Sequence, residues 1–235
     1  MDAHVPERAR LGRMKLSPVH EFALKAALWL PLSFVVWFSL APLWVLPPTV
    51  LARNVLLGFW PNLFTALAQG GDLLDASGRV ISHAGYLLTL TTSIVVHVPA
   101  SAGSAGGVGV LEPTLNPMIY AYSLPLFSGL AMATPLSARR RFLELAIAFL
   151  VIWLAQAFGI VAESLKFVAV DAGAEGAAAL SPNAGLSTSA IALAYQFGYL
   201  ILPAVVPAAL WIGLNRSFIE RLVRRDGEPP VETAV

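Results

Sequence analysis

The stretch LAIAFLVIWLAQAFGIVA, residues 145–162, decides the fold class. It contains no charged residue, and three consecutive arginines, 139–141, stand just before it. A helix needs roughly 20 apolar residues to cross the hydrocarbon core of a bilayer. This stretch and its flanks therefore predict a membrane-spanning helix over 142–166.

Three further stretches have the same apolar character, and they predict spans over 26–46, 117–135 and 191–214. The composition agrees, because 57% of the residues are hydrophobic, only 12% are charged, and the mean hydropathy is +0.72. Soluble domains contain about 25% charged residues. We therefore expect an all-α polytopic membrane protein with about four transmembrane helices, surrounded by the lipid bilayer.

Net charge and cysteine content exclude several classes of protein. The chain has 15 Lys and Arg against 14 Asp and Glu, a net charge of +1, which argues against a nucleic-acid partner. It has no cysteine, which excludes disulfides, Cys-ligated metals and a thiol nucleophile. We expect no cofactor.

The positions of the basic residues predict the orientation. Twelve of the 15 lie in a leader, 1–25, a loop, 136–141, and a tail, 215–235. The other three are Arg53, Arg79 and Lys166. Because cytoplasmic segments carry the excess of Lys and Arg, both termini are expected in the cytoplasm. Segments 47–116 and 167–190 are then extracytoplasmic.

The first extracytoplasmic segment, 47–116, begins with a helical pattern. Its apolar residues fall on one face of a predicted helix over 54–69: Leu56, Phe59, Trp60, Leu63, Phe64 and Leu67. Such a helix lies in the membrane interface, or it packs as an ordinary helix on the extracytoplasmic domain.

A predicted β-hairpin over 79–98 follows in the same segment. Arg79 to His83 is one candidate strand, Ala84-Gly85 can reverse the chain, and Tyr86 to Val98 alternates apolar and polar residues. The run 101–109 is rich in Gly, Ser and Ala, which is typical of a linker. An isolated hairpin is only marginally stable, so it must pack on the protein or on a partner. It is either a purely structural insertion or a docking surface.

Polar residues concentrate where the spans meet the extracytoplasmic side. Glu163 and Lys166 share a helix face near the end of the third span. They are expected to form either an ion pair with each other or a polar contact with Tyr195 or Gln196. We expect one extracytoplasmic polar cluster for partner contact: Glu163, Lys166, Tyr195, Gln196, Asn116, Tyr120 and Tyr122.

Two histidines on the predicted hairpin, His83 and His97, are expected to face each other across it. A metal site would need a third ligand, for which Glu112 or Asp75 is available. The other interpretation is two solvent-facing histidines on strands. We predict no catalytic, cofactor-binding or metal-binding residue.

Charged residues at the predicted cytoplasmic boundary have structural explanations. Glu144 follows Arg140 and Arg141 and is expected to pair with them. Residues 215–225 form a basic amphipathic pattern, in which Phe218 and Leu222 share a face between arginines. This pattern predicts a helix that lies on anionic lipid.

Two motifs resemble those of a known family. They are LNPMIYAYSLPL, residues 115–126, and YQFGYLILP, residues 195–203, with Asn215-Arg216 after the last span. With the four-span layout they resemble the exosortase H-associated membrane proteins of Gram-negative bacteria. The resemblance implies a bacterial inner-membrane protein. It also implies a partner, which is either an exosortase or a substrate of that enzyme. Exosortases are membrane enzymes similar to cysteine transpeptidases.

The resemblance carries over no site residues, and a chain without cysteine is not itself such an enzyme. We therefore expect a non-enzymatic accessory protein for protein sorting in the cell envelope. Two alternatives stay open: a membrane enzyme acting on a lipid or lipid-linked substrate through His83 or His97, and a small transporter or channel subunit. Association with further copies of the chain also stays open.

Overall fold

The computed structural model describes residues 17–75, 77, 79–98, 106–180 and 185–226. The described helices are α1 (Pro18–Ser39), α2 (Ala41–Phe59), α3 (Met118–Ala121), α4 (Ser123–Ala133), α5 (Ala138–Lys166), α6 (Gly173–Leu180), α7 (Thr188–Gln196), α8 (Leu202–Leu214) and α9 (Arg216–Asp226). Two π-helical turns, Phe167–Asp171 and Phe197–Ile201, follow α5 and α7. The described strands are β1 (Phe64–Leu74), β2 (Val80–Thr92), β3 (Val95–Val98), β4 (Gly107–Val110) and β5 (Thr114–Leu115).

Among the described residues, three helical segments are long and apolar enough to cross a membrane. They are Pro18–Ser39, Ala138–Asp171 and Thr188–Leu214. The predicted span 117–135 corresponds to the shorter apolar segment Met118–Ala133, so the count of four spans remains a prediction.

The first helix is displaced from the predicted span over 26–46, since it begins at Pro18 and ends at Ser39. Ser17 caps it by accepting a hydrogen bond from the Val19 N–H, and proline suits the first helical turn. Pro42 has no N–H to continue the helical ladder, and the chain breaks at Leu40 before α2 begins. The prediction of one continuous helix over 26–46 is therefore wrong.

Helix packing depends on small residues and on a carbonyl freed by proline. A Cβ atom on Gly129 of α4 would lie 2.9 Å from the Cα of Leu30, so α1 and α4 approach closely there. Pro207 cannot donate to the carbonyl of Pro203 in α8, and the hydroxyl of Ser123 donates to that oxygen instead, at 2.9 Å. This bond joins α4 to α8.

Two apolar cores result. The first lies between α2, the β1–β2 sheet and the second half of α5, and the second lies among α1, α4, α5 and α8. We call the end of the bundle that carries the sheets the sheet end. The opposite end, where α4 connects to α5 through 134–137, is the loop end.

Segment 47–116, which is predicted to be extracytoplasmic, contains β-hairpins, as predicted, but built from different strands. β2 runs without a turn through Ala84-Gly85, and it pairs antiparallel with β1 on one side and with β5 on the other. The predicted hairpin over 79–98 is therefore wrong in its pairing. The turn follows Leu74 instead, where the Asp75 carboxylate accepts from the N–H groups of Ser77 and Arg79.

The predicted helix over 54–69 is wrong beyond Phe59, because residues 64–74 form β1. The register of β1 shifts between Phe64 and Ala66, so Phe64 and Leu67 are both buried although they are three residues apart. A bulge therefore gives this strand the apolar spacing of a helix. A second shift, at Gly70 with φ +101°, requires glycine.

The predicted linker over 101–109 is also partly strand. Gly107–Val110 is β4, which pairs with β3 as a separate two-stranded ribbon. The strand predicted to run to Val98 is interrupted after Thr92, whose hydroxyl donates to the carbonyl of Leu111 at 2.8 Å.

Candidate functional site

Six polar and aromatic side chains meet at the sheet end of the bundle. We call them the tyrosine cluster: Tyr120, Glu163, Lys166, Asp171, Tyr195 and Tyr199. They come from α3, the end of α5, α7 and the two π-helical turns. Four of them, all except Asp171 and Tyr199, belong to the polar cluster predicted from the sequence.

The buried part of the cluster is the contact between Tyr120 and Glu163. The Tyr120 side chain is 1% exposed, and its hydroxyl donates to Oε2 of the half-buried Glu163 at 3.0 Å. The tyrosine ring lies against Gly159, where a Cβ atom would come within 2.8 Å of Cδ1. Glycine at 159 is therefore what allows the ring to reach the carboxylate.

The exposed part of the cluster is centred on Lys166. Its Nζ donates to Oδ2 of Asp171 at 2.7 Å and lies 5.2 Å from the centre of the Tyr195 ring, a cation–π distance. Of the two expected contacts, the one with Tyr195 is present. The ion-pair partner of Lys166 is Asp171 rather than Glu163, because Glu163 turns inward to Tyr120.

Stacked rings join the two parts. Tyr195 and Tyr199 are parallel, with centres 5.8 Å apart, and Tyr199 meets the ring of Tyr120 edge-on at 6.4 Å. These are favourable geometries for aromatic pairs. The result is a row of three phenol rings that runs from the buried Tyr120 out to Tyr195 and Tyr199. A cation and a carboxylate lie beside the two outer rings, an arrangement that suits non-covalent recognition.

The π-helical turns place the two residues that sequence analysis did not include. An i to i+5 pair such as Lys166 and Asp171 does not share a face of an α-helix, but the wider π-helical turn brings the two side chains together. The other π-helical turn carries Tyr199. Pro203 has no N–H to donate to the carbonyl of Tyr199, which interrupts the α-helical ladder there. The sequence contains the proline, but it does not indicate that a π-helical turn forms there and directs Tyr199 toward the cluster.

Gly198 sets the distance between the two spans at this site. A Cβ atom on it would lie 3.1 Å from the Cα of Gly159, so α5 and the second π-helical turn are in backbone contact. The contact brings Tyr199 to Tyr120.

The other three residues of the predicted cluster lie apart from it. Gln196 is exposed on α7 beside Phe197 and Leu200, in an apolar groove. Asn116 is exposed, and its Oδ1 accepts from the N–H of Met118, the first residue of α3. Tyr122 is half-buried, and its hydroxyl has no hydrogen-bond partner among the residues that the structure covers.

The two histidines are not paired with each other in the strand register. His83 lies opposite Asp72 in the β1–β2 register, and its Nδ1 is 2.9 Å from Oδ1 of that aspartate, on an exposed surface. His97 pairs with Val108 in the separate ribbon. In the described ranges no three His, Asp or Glu residues come together as metal ligands.

A second polar network closes the loop end. Glu144 is 4% exposed and accepts from Arg140 at 2.8 Å and from the side-chain amide of the fully buried Asn215 at 2.9 Å. The pair with Arg140 was predicted, whereas Arg141 donates instead to backbone carbonyls such as that of Thr134. The contact of Asn215 with Glu144 was not predicted, because only the fold brings Asn215 close to α5. This network is structural, since both oxygens of the buried Glu144 carboxylate are hydrogen-bonded within the fold.

The β3–β4 ribbon carries three exposed valines on one face. By register, Val95 and Val110 are opposite each other and Val108 follows on the same face. Their side chains are exposed, Val108 by 69%. We call these three residues the valine face. Exposed apolar patches of this kind often mark interaction sites.

Comparison with known protein families identifies a family to which the chain is similar. The family model described as exosortase H-associated membrane protein matches residues 16–218. No curated protein and no solved structure matches the chain.

Proposed function

The chain belongs to the exosortase H-associated membrane protein family, and from that premise we propose that it is a non-enzymatic accessory subunit of an exosortase-type sorting system. Its role is to hold a membrane transpeptidase, or a substrate of that enzyme, by non-covalent contact. The chain has no cysteine, so it cannot itself supply the thiol of a cysteine transpeptidase.

The valine face carries this proposal. A two-stranded ribbon is not stable alone in water, and three exposed valines on one face leave apolar area that a partner can cover. The tyrosine cluster supports it from the same end of the bundle, because tyrosine is enriched at protein interfaces. Together they present apolar, aromatic and charged groups to one partner.

The proposed location is a bacterial inner membrane, with both termini cytoplasmic and the sheet end outside. The distribution of basic residues supports this orientation, since Arg139, Arg140 and Arg141 lie at the loop end and only three basic residues belong to the other side. The transpeptidase would then meet the sheet end where sorted proteins emerge from the membrane.

A photo-crosslinking experiment tests the proposal. A photoreactive residue at 108, on the valine face, is activated in the native membrane, and the captured protein is identified by mass spectrometry. We expect a cysteine-bearing membrane transpeptidase or its substrate. The matched control is the same probe at 81, because Ile81 is 68% exposed but belongs to the other sheet. Capture of the same protein at both positions, or at 81 alone, contradicts the assignment to the valine face.

One observation favours a second candidate, an enzyme acting at the membrane surface. The imidazole of His83 lies 2.9 Å from the Asp72 carboxylate, an arrangement that orients a general base. Both side chains are exposed, which is also ordinary for a cross-strand pair. Full complementation of a deletion strain by H83Q rejects this candidate, and loss of function with normal membrane levels supports it.

A further inference from the structure

A cavity of about 430 Å³ opens at the loop end, far from the tyrosine cluster. Its walls come from the first turns of α1, the end of α4 and the middle of α9. Four of its larger lining residues are apolar, and we call them its floor: Phe22, Pro135, Phe218 and Leu222. Three charged and exposed residues also line it, and we call them its rim: Glu21, Lys25 and Arg221.

The floor is held in shape by aromatic contacts. The ring of Phe22 stacks on Trp211 of α8, with centres 5.5 Å apart and planes at 20°. On its other side it meets Phe218 of α9 edge-on, also at 5.5 Å. The cavity therefore exists between packed helices before any ligand enters.

Among the described residues, one of the two cations at the rim has no partner. Lys25 is paired with Glu21, because its Nζ lies 2.6 Å from Oε1 of that residue. Arg221 is exposed, and among the residues that the structure covers its guanidinium has no hydrogen-bond or ion-pair partner. The neighbouring Glu220 is 3.7 Å from Arg216 instead. Within the described part of the chain, a guanidinium without a partner thus stands beside the apolar side chains of the cavity.

The place of the cavity indicates what occupies it. α1 is one of the helices suited to cross a membrane, and the cavity lies at the first turns of that helix, where a span leaves the hydrocarbon core. A ligand there meets lipid tails on one side and water on the other. An anionic phospholipid has the required chemistry, with a phosphate for bidentate contact with arginine and acyl chains for the apolar floor.

We infer that this cavity is a binding site for one anionic phospholipid. Arg221 holds the phosphate, and Phe22, Phe218 and Leu222 hold the first part of an acyl chain. The site also explains why α9 packs back onto α1 through Phe218: its apolar face closes the cavity. The tail helix is then a wall of a specific lipid site, and not only a surface anchor.

Native mass spectrometry of the purified full chain tests the inference. The protein in mild detergent is titrated with phosphatidylglycerol, and the affinity for the first bound lipid is compared between wild type, R221Q and R224Q. Arg224 is exposed on the same helix but does not line the cavity, so it is the matched control. We expect R221Q to weaken the first binding event about fivefold, the value for one basic residue near an anionic surface, and R224Q to change it little.

Three results would overturn the inference. One is equal weakening by R221Q and R224Q, which indicates diffuse attraction by the whole tail. The second is equal affinity of wild type for phosphatidylcholine, which has a zwitterionic headgroup and would show that the site does not select an anionic lipid. The third is full competition by inorganic phosphate, which indicates a free anion site without a role for the apolar floor.

Discussion

The hydroxyl of Tyr120 lies 3.0 Å from Oε2 of Glu163, and this contact joins α3 to the end of α5 at the sheet end of the bundle. The tyrosine is almost fully buried, so the bond forms where water cannot readily replace it. It holds the buried side of the tyrosine cluster in position. The rings of Tyr195 and Tyr199, which lie further out, are thereby positioned as well.

Removing that hydroxyl should destabilise the protein. Y120F leaves the carboxylate without its donor and should lower the free energy of unfolding by about 1–3 kcal/mol. Thermal unfolding in detergent, followed by tryptophan fluorescence, measures the change. Y122F is the control, because the Tyr122 hydroxyl has no partner among the described residues, and it should unfold like wild type. Equal effects of the two variants would show that the contact with Glu163 contributes nothing.

Filling the space beside the tyrosine ring should also be costly. G159A places a Cβ atom 2.8 Å from Cδ1 of Tyr120, which must shift, and we expect a loss of about 1–3 kcal/mol in stability. G213A is the matched control: it is also a helical glycine, and its Cβ atom would meet nothing within 4 Å. That variant should be neutral or gain up to about 1 kcal/mol from helix propensity. A G159A protein as stable as G213A would contradict the close packing described here.

The network at the loop end should be sensitive to loss of its amide. N215A removes the donor to the buried Glu144 carboxylate and should cost about 1–3 kcal/mol in unfolding free energy. E220Q is the comparison, since it breaks only an exposed pair with Arg216 and should change stability by less than about 0.5 kcal/mol. Chemical unfolding curves of both variants measure the two changes in unfolding free energy. If E220Q is the more harmful, the assignment of Glu144 as a structural residue is wrong.

The orientation can be tested with single cysteines, because the chain has none of its own. I81C, on the exposed part of β2, should react with a membrane-impermeant maleimide added to intact cells whose outer membrane has been permeabilised. R224C, on α9, should react only after the inner membrane is opened. The opposite pattern would place the sheet end in the cytoplasm and remove the proposed route to the transpeptidase.

Much of the fold follows from the sequence because the bilayer requires long apolar helices. The alternation through Leu88 and Leu90 also predicted a strand, and both residues are buried in β2. The first strand could not be predicted in the same way, since the bulge near Phe64 gives β1 the spacing of a helix. Tertiary pairing with β2 decided its structure.

The tyrosine cluster was predictable in part for a similar reason. Tyr120, Glu163, Lys166 and Tyr195 stand near the expected ends of spans, where polar and aromatic residues collect. Asp171 was missed because its contact with Lys166 depends on a π-helical turn that no local pattern announces. Asn215 was missed because its partner, Glu144, is distant in the chain.

The central claim is that the valine face holds a partner of the exosortase type. It is tested most directly by purifying tagged wild type, V108D and I81D from native membranes and measuring the amount of co-purified transpeptidase. The two positions are equally exposed, at 69% and 68%, so the added charge costs a similar amount in each folded protein. The account predicts that V108D loses the enzyme while I81D and wild type retain it. Retention by V108D at wild-type levels, with the protein present in normal amounts, would contradict it.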